Sequence, residues 1–118
     1  MIIFSGGLNI SSYQNVIVTG GAGFIGSALC LELLSHNPQA LMIIDNCNAS
    51  LYDPQIKECR IEKLRLAAKS SIPEIPFFVE RCDIRDRDNL ITVVKTFKPT
   101  LIFQYVVEIN LISDQCYE

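Results

Sequence analysis

The chain has 118 residues, 49% of them hydrophobic, and its 10 Lys and Arg against 13 Asp and Glu leave a net charge of −3. That length holds one domain and lets it hide roughly two-thirds of its unfolded surface. The composition excludes a disordered tract, and the acidic balance offers nothing for binding nucleic acid in bulk.

The opening residues, Met1 to Gly7, lack the basic start and long apolar run of a signal peptide, and no apolar run reaches bilayer length. Five cysteines (Cys30, Cys47, Cys59, Cys82, Cys116) show no C-x-x-C pair and no metal-ligand spacing. They read as reduced, mostly buried thiols of a cytoplasmic protein that uses no membrane. From residue 15 the pattern becomes regular. Val16-Ile17-Val18 is a first strand, and a helix follows from about Phe24 to Ser35 with Ile25, Ala28, Leu29 and Leu33 on one stripe. Leu41-Met42-Ile43-Ile44 is a second strand. Asp53-Pro54 then reads as an N-cap with proline in the first helical position, opening a helix to about Lys69 with Ile61, Leu64 and Ala68 in register. Phe77-Phe78-Val79 is a third strand, a third helix runs from near Asp86 through Leu90, Val93, Val94 and Phe97 to Lys98-Pro99, and Leu101-Ile102-Phe103 is a fourth strand. These apolar runs are continuous rather than alternating, as in parallel strands covered on both faces. The chain is therefore expected to be one α/β domain over 1–118 with its core in 15–107. Right-handed crossovers give a parallel sheet in the order 3-2-1-4, a truncated, Rossmann-like three-layer arrangement.

Between the first strand and its helix stands Thr19-Gly20-Gly21-Ala22-Gly23-Phe24-Ile25-Gly26. Gly20 lets the chain leave the strand in a turn that a Cβ would obstruct. Gly23 clears the place where the backbone meets a pyrophosphate, and Gly26 lets the helix pack closely on the strand. The helix N-terminus supplies N–H groups and positive potential for phosphates. Asp45 ends the second strand nineteen residues after Gly26, where a carboxylate can accept hydrogen bonds from the adenosine ribose. All ten Lys and Arg lie from Lys57 onward, so an anion held by the first half would rest on backbone N–H groups and a helix dipole. With no cation near Asp45 in sequence to offset its charge, a 2′-phosphate would be repelled and NAD preferred to NADP. The plainer alternative is that Asp45-Asn46-Cys47-Asn48 is only a polar turn.

The T-G-G-A-G-F-I-G-S string, the D-N-x-N after strand two and Cys82-Asp83-Ile84-Arg85-Asp86 after strand three resemble the extended short-chain dehydrogenase/reductase family of NAD-dependent sugar-nucleotide epimerases and dehydratases. Within it, Asp45 to Asn48 followed by Tyr52-Asp53-Pro54 and a charged helix is most similar to the UDP-glucuronate 4-epimerases. The resemblance covers roughly residues 15 to 107. It implies that Phe24 and Ile25 set backbone N–H groups against the pyrophosphate, that Asp45 and Asn46, with Asn48 in the same motif, take the ribose, and that Asp83 and Ile84 border the adenine. The alternative for Asp83 is a cap on the turn before the third helix, although Asp86 already stands in that position.

Two departures from the family pattern matter. Where the family carries a His-Leu-Ala-Ala-like run after strand four, this chain has Gln104-Tyr105-Val106-Val107, which places Tyr105 and Val106 beside the crossing cofactor with bulkier side chains. The family's catalytic Tyr-x-x-x-Lys is absent, since Tyr13, Tyr52 and Tyr105 are each followed four residues later by Ile, and Tyr117 is next to the last residue. The resemblance thus implies the NAD-binding portion of an epimerase, with no catalytic residue and no metal, a nucleotide sugar being bound only in a full-length relative. A non-catalytic nucleotide-binding or interaction module and a degenerate gene fragment are the alternatives, and the apolar fourth strand offers an edge for self-association. His36, Tyr52, Cys47 and the charges from Lys57 to Lys69 read as ordinary helix-end, loop, packing and solvated-surface residues.

Overall fold

A computed structural model describes residues 14–47 and 54–104. The elements follow the expected alternation: β1 (Asn15–Thr19), α1 (Phe24–Ser35), β2 (Ala40–Ile44), α2 (Pro54–Ser70), β3 (Phe77–Glu80), α3 (Arg87–Phe97) and β4 (Leu101–Gln104). The four strands form one parallel sheet in the order β3-β2-β1-β4, as the sequence leads one to expect. Register sets Thr19 beside Ile44 and Gln104, and Ile44 beside Glu80, so the carboxyl ends of all four strands lie level. The chain reverses direction across the sheet after β3, which puts the switch point between β1 and β4.

The period of two along β1 and β2 divides the core. Val16, Val18, Leu41 and Ile43 face α1 and α2, packing with Leu29, Cys30, Leu33, Ile61, Leu64 and Ala68. Ile17, Met42 and Ile44 face the other way, toward Cys82 and Val93. Because the crossovers are right-handed, the two that advance toward β3 put α1 and α2 on one face, and the one that returns to β4 puts α3 on the other.

Coverage on both faces holds for the central strands and fails at the edges. β1 and β2 are buried almost throughout, whereas Phe78 of β3 and Ile102 of β4 are about half exposed, at 46% and 49%. One helical stripe is also rotated from its expected phase. In α1 the buried positions are Gly26, Leu29, Cys30, Leu33 and Leu34, with Ile25 half-buried and Ala28 exposed. The physical reason is Gly26: a Cβ there would lie 2.1 Å from the Gly20 carbonyl oxygen, so the glycine must face the turn and the rest of the helix follows its phase. The thiols divide similarly: Cys30 and Cys82 are buried, Cys47 is half-buried and Cys59 is exposed, all four unpaired, while Cys116 lies outside the described residues.

Candidate functional site

The site begins where β1 stops. Gly20 has φ of 69°, a left-handed conformation that a side chain would strain, and its N–H donates to the Ile44 carbonyl at 2.7 Å. The turn closes when the Gly23 N–H donates to the Gly20 carbonyl at 3.0 Å. Gly26 then sits against that same carbonyl and the Gly21 Cα, so its close contact is with the turn rather than with the body of the strand. Gly21 has its own steric reason, which the sequence reading missed: a Cβ there would come within 2.4 Å of Ile43 Cγ2 on β2. The doubled glycine after Thr19 was the available signal.

α1 starts without a side-chain cap. Its N-cap is Gly23, no side chain accepts a hydrogen bond there, and its first turn contains no acid. The positive end of the helix, with the Phe24 and Ile25 amides, therefore stands at the carboxyl end of the sheet without a side-chain cap. The third glycine of the string is thus the residue at which α1 starts.

Asp45 follows β2 directly and is buried. Its Oδ2 accepts the Ala22 N–H at 3.1 Å, while Oδ1 accepts the Cys47 N–H at 2.7 Å and the Lys57 ammonium at 3.0 Å. A carboxylate has about four acceptor positions, and the contacts among the described residues fill about three, leaving about one on Oδ2. The polar-turn role and the open acceptor therefore coexist in one residue, which ties the glycine turn to the end of β2.

Lys57 overturns the expectation that no cation stands near. It occupies the same buried stripe of α2 as Ile61, Leu64 and Ala68, one helical turn earlier, and that register carries it under Asp45 with both side chains nearly covered (11% and 4% exposed). The signal was present as a lysine at an apolar-face position; its distance in sequence from Asp45 hid it. Arg60, three residues on, reaches the glycine turn itself. Its Nη1 donates to the Ala22 carbonyl at 3.4 Å and its guanidinium lies 5.8 Å from the centroid of the exposed Phe24 ring. The glycine turn is thus flanked by two side-chain cations from α2, in addition to backbone N–H groups and the dipole.

On the far side of Asp45 a second carboxylate is fixed. Asp83 receives the Arg85 guanidinium on both oxygens, with Nη2 to Oδ2 at 2.6 Å, and the Arg85 N–H on Oδ1 at 2.9 Å. The Asn46 side chain adds a further hydrogen bond, linking the segments after β2 and β3. The Arg85 side chain first, and then its backbone N–H, hold the Asp83 carboxyl at about 2, below its ordinary range. Asp83 therefore organises its own turn, and Asp86 caps α3 as expected by accepting the Asn89 N–H at 3.3 Å. Ile84 is half-buried against the α3 side of the core. Burial, then the charges of Asp45 and Glu58, push the Cys47 thiol above its ordinary value, so it is not an activated nucleophile. His36 caps the C-terminus of α1 and lies 3.3 Å from Glu32, on the surface. Asn48, Tyr52, Asp53, Tyr105 and Val106 lie outside the described residues.

Known proteins share this fold. The model of the NAD dependent epimerase/dehydratase family matches residues 16–114. The chain belongs to that family. Among its relatives, the bifunctional protein gal10 of Schizosaccharomyces pombe is 34% identical over 85 residues, covering 72% of this chain and 10% of that one. A UDP-glucose 4-epimerase of Neisseria meningitidis serogroup A is 36% identical over 78 residues, 65% of this chain and 19% of its own. Among solved structures, the UDP-glucuronic acid 4-epimerase of Bacillus cereus in complex with NAD superimposes with a TM-score of 0.58 at 28% identity, over 75% of this chain and 26% of that one. The chain thus spans between a tenth and about a quarter of the length of these epimerase-family proteins. The family is NAD-dependent, and among the described residues no helix is long and apolar enough to cross a membrane and no group of side chains could hold a metal.

Proposed function

We propose that this chain forms the ADP-holding half of the NAD site of a sugar-nucleotide epimerase, of the UDP-glucuronate 4-epimerase type, and that it carries no catalysis by itself. One observation carries this reading: the uncapped start of α1, opened by three sterically required glycines, lies beside a buried acid at the end of β2. The Phe24 and Ile25 amides take the pyrophosphate, with Arg60 alongside. The remaining acceptor of Asp45 takes the adenosine ribose together with Asn46 and Asn48, and Asp83 and Ile84 border the adenine. Tyr105 and Val106, next in sequence after Gln104, complete the proposed cofactor contacts.

The sugar type rests on the segment from Asp45 to Pro54 and on the likeness to the Bacillus cereus UDP-glucuronic acid 4-epimerase. In a whole epimerase, NAD supplies a hydride acceptor that returns the hydride to the sugar. Here the residues only bind and orient its adenosine end, because the Tyr-x-x-x-Lys that would move the sugar's proton has no counterpart in this sequence. Calorimetric titration of the folded chain with NAD tests the reading. Saturable binding that is lost in Gly23→Asp is expected; absence of binding by folded protein would overturn it.

A further inference from the structure

The geometry points to Lys57 as a masked 2′-phosphate site, so that this chain's choice of NAD over NADP is set by one ion pair and can be reversed at one residue. The inference rests on the NAD half-site proposed above. In this fold an acid after the second strand takes the ribose 2′-hydroxyl of NAD, and a cation near that position accommodates the 2′-phosphate of NADP. Ordinarily one of the two is present. Here both are, 3.0 Å apart and nearly covered, the acid occupying the cation.

Two features make the masking specific. Lys57 is anchored through its place in the buried stripe with Ile61 and Leu64, so its ammonium is held at the end of β2 rather than ranging over the surface. Asp45 is fixed from the other side by the Ala22 and Cys47 amides, which keeps its carboxylate between the ammonium and the turn. The pair is therefore close to neutral as a unit. Discrimination against a 2′-phosphate arises from Asp45 filling the position and spending the charge of Lys57, and not from an uncompensated negative field. Neutralising Asp45 releases a cation that is already in place, with no need to introduce an arginine.

The test uses the whole chain and two small probes, AMP and adenosine 2′,5′-bisphosphate, alongside NAD and NADP. Asp45→Asn is expected to shift the ratio of bisphosphate to AMP affinity in favour of the bisphosphate by roughly ten- to hundredfold, the range of a hydrogen bond to a charged group. The shift should shrink with added salt. Asp45→Asn with Lys57→Met, which removes both charges and leaves no buried ion, should abolish it. Lys57→Met alone should move the ratio the other way. An unchanged ratio in Asp45→Asn, or the same gain in the double variant, would overturn the inference. Were Asp45→Asn unfolded by circular dichroism, an unchanged NAD-to-NADP ratio in folded Lys57→Met would overturn it equally. Failure of the unsubstituted chain to bind NAD would refute the half-site while the two adenosine probes still decide the role of Lys57.

Discussion

Helices α1 and α3 begin at the same end of the same sheet and solve the problem of their first amides in opposite ways. α3 has Asp86 as its N-cap, accepting the Asn89 N–H, and Asp88 in its first turn. α1 has a glycine as its N-cap, no side chain on its amides and no acid in its first turn. A side chain that accepts one of the first amides stabilises a helix start, and α3 has such a cap where α1 has none. On the function proposed above, the difference separates a helix start that serves the fold from one that serves binding.

Substitutions at the two helix starts separate these roles, and the largest effect belongs to the glycine that both turn and helix need. Gly26→Val puts a Cβ about on the Gly20 carbonyl oxygen, with backbone on both sides of the contact. A loss of about 3 kcal/mol or more is expected, and a chain this small would be largely unfolded in thermal or urea denaturation. Gly23→Asp transfers the device of α3 to α1. It should leave stability unchanged or raise it by about 0.5–1 kcal/mol in the same denaturation experiment, while lowering NAD affinity by tenfold or more in calorimetry. A variant that lost both would show that the turn, not the ligand, demands glycine at 23. The converse, Asp86→Ala, should cost about 1 kcal/mol and leave NAD affinity unchanged.

The smallest effect is the acid response of Asp83. Its carboxyl is held at about 2 by Arg85, below the ordinary carboxylate value. A lowered folded-state value means that its contribution is complete above about pH 4 and is lost as the pH falls from there through 2. The pair is largely solvent-exposed, so the effect on overall stability should be slight. An NMR titration of the Asp83 carboxyl carbon is the sensitive readout, and Arg85→Met should return its midpoint toward the ordinary value.

Much of this was legible in sequence because local and global preferences agree. The strand runs, the proline at the start of α2 and the Asp86 cap all act within a few residues, and the sheet order follows from crossover handedness once the elements alternate. What escaped was register across elements. In sequence Lys57 reads as part of a solvated charge face, although its spacing from Ile61 places it on the covered side. The reason for Gly21 lies in Ile43, and the phase of α1 lies in a contact between Gly26 and Gly20, neither of which is visible in a hydrophobic pattern. Asp45 shows both halves of the lesson. Its position announced an acid at the ribose site, and its burial among Ala22, Cys47 and Lys57 had to be seen.

The most direct measurement of the central claim is a nitrogen-15 amide titration of the chain with NAD, comparing the two helix starts in one spectrum. Shifts concentrated at Gly23, Phe24 and Ile25, saturating with NAD and sparing Arg87 to Asn89, are the predicted result. Saturation without movement at the start of α1, or equal movement at both starts, would contradict the account.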